Sequence, residues 1–165
     1  MMTRLPAALM ICLTAASCET FTDVPGPTHY SAELRGANVK PGAVTSPGIG
    51  TLTASWDPVE GILSYTLGYS GLTSAATNGH IHGPANESSV GEILIDFDVP
   101  PDGSTGDFVK GALGSATGRI DLSGAITSTV SGDSLVKLLQ AGRLYVDLHT
   151  SANAAGEIRG QLREN

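Results

Sequence analysis

The 165-residue chain has little cysteine, few aromatic side chains and few basic residues. Its two cysteines, Cys12 and Cys18, both sit near the N-terminus. Everything after them can form no disulfide and must be held by its core alone. Lysine and arginine number 9 against 16 aspartate and glutamate, for a formal net charge of −7. With an acidic balance and no basic cluster, the electrostatic footprint of a nucleic-acid binder is missing. A Gly-x-Ser-x-Gly elbow, a phosphate-binding loop and a nicotinamide fingerprint are absent, and no spacing singles out a nucleophile. The residues therefore give no grounds for an enzyme.

Long apolar runs are also missing. The longest candidate, "AALMICLTAA" after the single basic residue Arg4, is too short to span a bilayer as a mature helix. It suits a secretory leader over residues 1–17. The leader ends in "AASC", small residues directly before Cys18. That ending resembles a bacterial lipobox, in which the cysteine is lipidated and becomes the first residue. The reading assigns Cys18 as the lipidation site and places the protein outside the cytoplasm, at the cell envelope, held to a membrane by the lipid. A lone thiol in an oxidising compartment would otherwise be a liability. Residues 18–27, "CETFTDVPGP", carry two prolines and no periodicity and read as a tether.

Glycine numbers 21, and short alternating apolar runs are separated by Gly/Pro/Ser/Asn clusters. This texture predicts an all-β domain over 28–165. "HYSAEL" aligns Tyr30, Ala32 and Leu34; "TLTASW" aligns Leu52, Ala54 and Trp56; "ILSYTLGYSGL" aligns Leu63, Tyr65, Leu67 and Tyr69. The last two form a hairpin through Asp57–Gly61. "EILIDFDV" is read with Ile93, Ile95, Phe97 and Val99 on one face, leaving Asp96 and Asp98 on a solvated one. "SGDSLVKLLQAG" breaks the alternation. Leucines 135, 138 and 139 recur at helical spacing, Ser131 or Asp133 can cap the start, and Gly142 can end the helix.

The final two strands predict their own register. Leu144, Val146 and Leu148 share a face, and so do Ile158 and Leu162. Matching apolar with apolar sets Leu148 opposite Ile158, Leu144 opposite Leu162, Asp147 opposite Arg159 and His149 opposite Glu157. A slip of one residue would set polar side chains against the core.

Three stretches, "GHIHGPA" (79–85), "YVDLHT" (145–150) and "GEIRGQL" (156–162), resemble the signature blocks of the CHRD domain family. "LRGAN" and "YSGL" resemble two further blocks, although "NVKPG" stands where that family usually has "NEVPP". The resemblance implies an antiparallel, immunoglobulin-like β-sandwich or barrel, here with one short helix. It implies a binding or structural module rather than a settled biochemical activity, with a protein partner as one class of ligand.

Two of the four histidines stand in "NGHIHGP". At i and i+2 on a strand, His80 and His82 share a face, with Ile81 opposite. His149 likewise points away from its strand's leucines. On neighbouring strands, His80, His82 and His149 could converge on a metal ion, with copper or zinc as the suited cofactor. Asp147 and Glu157 would serve as orienting partners or further ligands, and Arg159 would sit beside them through its pairing with Asp147. Two other readings stay open. The imidazoles could bond backbone groups of the 83–89 loop and of the loop after His149, or they could contact a partner directly.

Overall fold

The computed structural model describes residues 24–99 and 107–165. The leader, Cys18 and the first part of the tether lie outside the described residues.

The strands are β1 (Thr28–Arg35), β2 (Ile49–Asp57), β3 (Ile62–Ser70), β4 (Ala76–Gly83), β5 (Glu92–Asp96), β6 (Gly114–Asp121), β7 (Tyr145–Thr150), β8 (Ile158–Gln161) and β9 (Arg163–Glu164), of which β1, β2, β3, β7 and β8 fall in the runs where alternation placed strands. Helix α1 (Gly132–Gln140) begins as expected, with the Ser131 side chain accepting from the Ser134 amide. Gly142, just beyond its end, adopts the left-handed conformation expected of a terminating glycine.

The nine strands among the described residues belong to one antiparallel sheet, in the order β5-β4-β7-β8-β1-β2-β3-β6, with β9 also pairing with β1. The sheet is curled. Tyr65 on β3 lies near one end of this order and Phe97, just after β5, near the other, yet their rings are 5.1 Å apart. The expected inward side chains fill the space so enclosed: Tyr30, Leu34, Leu52, Leu63, Leu67, Val146, Leu148 and Ile158 are all essentially buried. Burying each large aliphatic side chain contributes about 1.5–3 kcal/mol, which is how a chain without disulfides in this domain can stand.

The hairpins pair as predicted. β2 and β3 match Leu52 with Leu67 and Ala54 with Tyr65. β7 and β8 match Leu148 with Ile158 and Asp147 with Arg159. Just beyond β8, the Leu162 amide donates to the Leu144 carbonyl.

β5 corrects the sequence reading. Ile95 and Phe97 are buried, but Ile93 and Val99 are exposed and Leu94 is buried. Val99 lies beyond the end of β5, and for Ile93 and Leu94 the cause is a bulge: Ile81 pairs with Ile95 while the next residue, His82, pairs with Ile93. Leu94 is the extra residue, and it reverses the inside–outside phase of the strand before it. The stretch "FVKGAL" (108–113) forms no strand, and β6 starts only at Gly114.

β8 joins the β5-β4-β7 part of the sheet to β1, and it does so through a close approach. A Cβ on Gly160 would press into the backbone carbonyl of Glu33 on β1, well inside van der Waals contact. Neither backbone can yield without disturbing the pairing on both sides. Gly160→Ala is therefore expected to cost about 1–3 kcal/mol, the usual range for overpacking. Urea denaturation should show this as a lower midpoint with an unchanged slope.

Candidate functional site: a covered histidine–aspartate face

β4 and β7 are antiparallel neighbours, with His80 opposite Asp147, His82 opposite Tyr145 and Asn78 opposite His149. With Ile81, Val146 and Leu148 turned into the core, alternation sends the imidazoles and Asp147 to the outer face. The structure thus brings the three predicted histidines together. β8 adds Arg159 opposite Asp147 and Gln161 opposite Tyr145.

This outer face is not open to water. His80, His82 and Asp147 are only 6–8% exposed, and Arg159 is 3% exposed. Segment 84–91 lies over them and is tied down by their own neighbours. The Arg159 Nη2 donates to the carbonyls of Asn86 (2.9 Å) and Ser89 (2.7 Å). Gln161 Nε2 donates to Ala85 O at 3.0 Å, and the Tyr145 hydroxyl accepts from the Gly91 amide at 3.3 Å. The rings stack beneath: the Arg159 guanidinium lies 3.5 Å from the Tyr145 centroid, and Tyr145 lies parallel to His82 at 4.8 Å. A guanidinium over an aromatic face adds attraction that grows with desolvation.

Asp147 and Arg159 are paired in backbone register, yet their side chains diverge. Arg159 goes to the loop carbonyls. Asp147 Oδ1 faces all three imidazoles, 3.1 Å from His82 Nε2, 3.2 Å from His149 Nε2 and 3.7 Å from His80 Nδ1. Burial works against the carboxylate's charge, but the imidazoles of His149, His80 and His82 outweigh it and hold its pKa well below the usual range. The same contact with Asp147 raises the pKa of His149 against the opposing effect of burial.

The other ring nitrogens are committed differently. His82 Nδ1 donates to the Gly91 carbonyl at 3.0 Å and His149 Nδ1 to the Ala154 carbonyl at 2.9 Å. These are backbone contacts of the kind the non-metal reading expected, one of them just past the 83–89 loop. His80 differs: its Nδ1 is buried without a hydrogen-bond partner among the described residues. Its Nε2 faces Asp96 Oδ2 at 3.9 Å. Asp96 is half-buried rather than solvated, and Asp98 pairs with Lys110 at 2.7 Å. One ligand atom from each of His80, His82, Asp147 and His149 lies within 4.8 Å of the others.

Glu157 does not join this face, contrary to the expected pairing with His149. The regular β7–β8 pairing ends at Leu148 and Ile158, because the chain turns at Gly156, which has φ +117°. The Glu157 side chain turns the other way and is fully buried. Its Oε1 accepts from Ser46 Oγ (2.6 Å) and the Thr73 amide (2.7 Å). Its Oε2 accepts from Thr73 Oγ1 and Thr150 Oγ1, both at 2.7 Å, and from Asn153 Nδ2 at 3.2 Å. This carboxylate fastens the β7–β8 turn to the loops before β2 and after β3. Sequence reading missed Ser46 and Thr73, whose role no local pattern announces. It also missed Tyr145, whose partner His82 is distant along the chain.

The family model described as "CHRD domain" matches residues 30–162. The chain belongs to the CHRD domain family. A search of curated proteins finds no match, and neither does a search of solved structures.

Burial raises the pKa of Glu157, and the hydrogen bonds from Ser46, Thr150 and Thr73 overcome that to hold it at about 2, against an ordinary 4.5. A depressed pKa means stability that is complete above the unfolded value and is lost as pH falls toward the folded one. Unfolding free energy should therefore drop between pH 4.5 and 2. Glu157→Gln should cost about 1–3 kcal/mol at pH 7, where it leaves buried donors unmet. Chemical denaturation across that pH range should show the gap between variant and wild type closing as the wild-type carboxylate is protonated.

Proposed function

We propose that this protein is an exported, lipid-anchored module of the cell envelope that binds or braces there without catalysis of its own. The observation that carries the reading is the CHRD match over residues 30–162, together with the leader-like stretch, Cys18 and the proline-containing tether in the sequence ahead of it. No helix among the described residues is long and apolar enough to cross a membrane. In this reading a lipid on Cys18 supplies the attachment, and residues 18–27 hold the domain off the surface. Two signals usually make an acyl anchor permanent, as the multiple chains of a bacterial lipoprotein would.

The finer reading of the scaffold is an immunoglobulin-like sandwich, with the part of the sheet around β3 facing the part around β4 and β5. The Tyr65–Phe97 contact supports it. The working part is the covered face between β4, β7 and β8, where histidines, a carboxylate and a guanidinium are buried together. A protein partner would meet the module at the 84–91 segment that covers this face. Nucleic acid is not a partner in this reading.

Expression with labelled palmitate in a bacterial host tests the anchor. Label should enter the wild type and be lost in Cys18→Ser, with that variant moving from the membrane to the soluble fraction. Labelling that persists in Cys18→Ser would remove Cys18 as the attachment site.

A further inference from the structure

We propose that His80 Nδ1, His82 Nε2, His149 Nε2 and Asp147 Oδ1 bind a single divalent transition-metal ion of the zinc or copper class. This rests on the reading of the covered face as the module's working part, and it names the ligand of that face.

The first argument is hydrogen-bond accounting. A backbone carbonyl can only accept, so the Gly91 and Ala154 carbonyls each require an N–H at Nδ1 of His82 and His149. In the neutral rings this leaves a lone pair on each Nε2. Each Nε2 lies 3.1–3.2 Å from a carboxylate oxygen that also has only electrons to offer, so the contact needs either a second proton on the ring or a cation shared between them. His80 Nδ1 adds a third nitrogen, buried and unpartnered, aimed at the same oxygen from 3.7 Å. Four electron-pair donors thus converge on one small space. A cation at their centre satisfies all four together.

The second argument is size. A four-coordinate ion with bonds of about 2.0–2.1 Å separates its ligands by roughly 3.3–3.4 Å, the edge of a tetrahedron. The three distances from Asp147 Oδ1, 3.1, 3.2 and 3.7 Å, bracket that edge. The wider spacings, up to 4.8 Å, need only modest inward movement of the imidazoles.

The third argument is support. Metal-binding histidines commonly donate their second ring N–H to a carbonyl or carboxylate, which fixes tautomer and aim. Gly91 and Ala154 do this for His82 and His149, and Asp96 stands 3.9 Å from His80 Nε2 in the corresponding position. Three imidazoles and one carboxylate suit zinc and copper and do not suit magnesium or calcium. The three distances from Asp147 Oδ1, close to a tetrahedral edge, favour zinc. His149, the least buried of the four at 17% side-chain exposure, marks the side from which an ion would enter.

The test is calorimetric titration of the full chain, purified without an affinity tag and stripped with chelator, using zinc and copper(II) separately. Wild type should bind one equivalent of zinc, and zinc should raise its unfolding temperature. His80→Ala and His149→Ala should each lose at least about tenfold in affinity and most of the thermal shift, the scale on which metal sites respond to losing a supporting group. Circular dichroism establishes that each variant is folded. His149 lies at the rim, so that variant keeps the test decisive should His80→Ala fail to fold. Folded wild type that takes up neither ion would overturn the proposal, as would equal binding by wild type and both variants. Neither result would touch the lipid anchor, which stands or falls on Cys18.

Discussion

One guanidinium holds the outer face of this sheet closed. Arg159 lies on the Tyr145 ring and reaches the carbonyls of Asn86 and Ser89. In doing so it presses segment 84–91 over side chains that strand geometry would otherwise leave in water. A buried charge is tolerated only when its hydrogen-bonding capacity is met. Here the loop's carbonyls serve the cation, while the imidazoles surround the carboxylate of Asp147. The stack from Arg159 through Tyr145 to His82 links the two groups. Without the loop, the face would be an ordinary polar strand surface.

The molecule buries two carboxylates near its last hairpin, and they differ in kind. Glu157 receives five hydrogen bonds from protein donors. Its needs are met, so it acts as a clasp between loops. Asp147 is met by nitrogens of His82 and His149, whose other ring nitrogens are held by carbonyls, and by His80 Nδ1, which has no hydrogen-bond partner among the described residues. That arrangement is closed to water yet unfinished as a hydrogen-bond network. Local satisfaction thus separates the structural carboxylate from the one placed to meet a ligand.

Much of this was legible in the sequence where the determining contacts are local. Leu148 and Ile158 had to face the same core across a short turn, and that fixed the β7–β8 register including Asp147 and Arg159. The face occupied by His80 and His82 followed from alternation alone. What alternation could not supply was the cover. The loop that buries the histidines is held by a residue from β8, and no periodicity in "NGHIHGP" foretells it. The bulge at Leu94 was equally hidden, since it exists only in the pairing of β5 with β4. Glu157 was misplaced because a glycine in the left-handed region turned the chain one residue before it.

The most direct check of the account is amide hydrogen exchange on Arg159→Lys. Lysine keeps the charge but cannot fork between two carbonyls or stack flat on Tyr145. Hydrogen bonds from a charged group contribute about 1.5–3 kcal/mol, so exchange across residues 85–91 should quicken by about tenfold or more. Exchange in β1, β2 and β3 should stay as it is. If the 85–91 amides instead kept their wild-type rates, Arg159 would not be what shuts the histidine face.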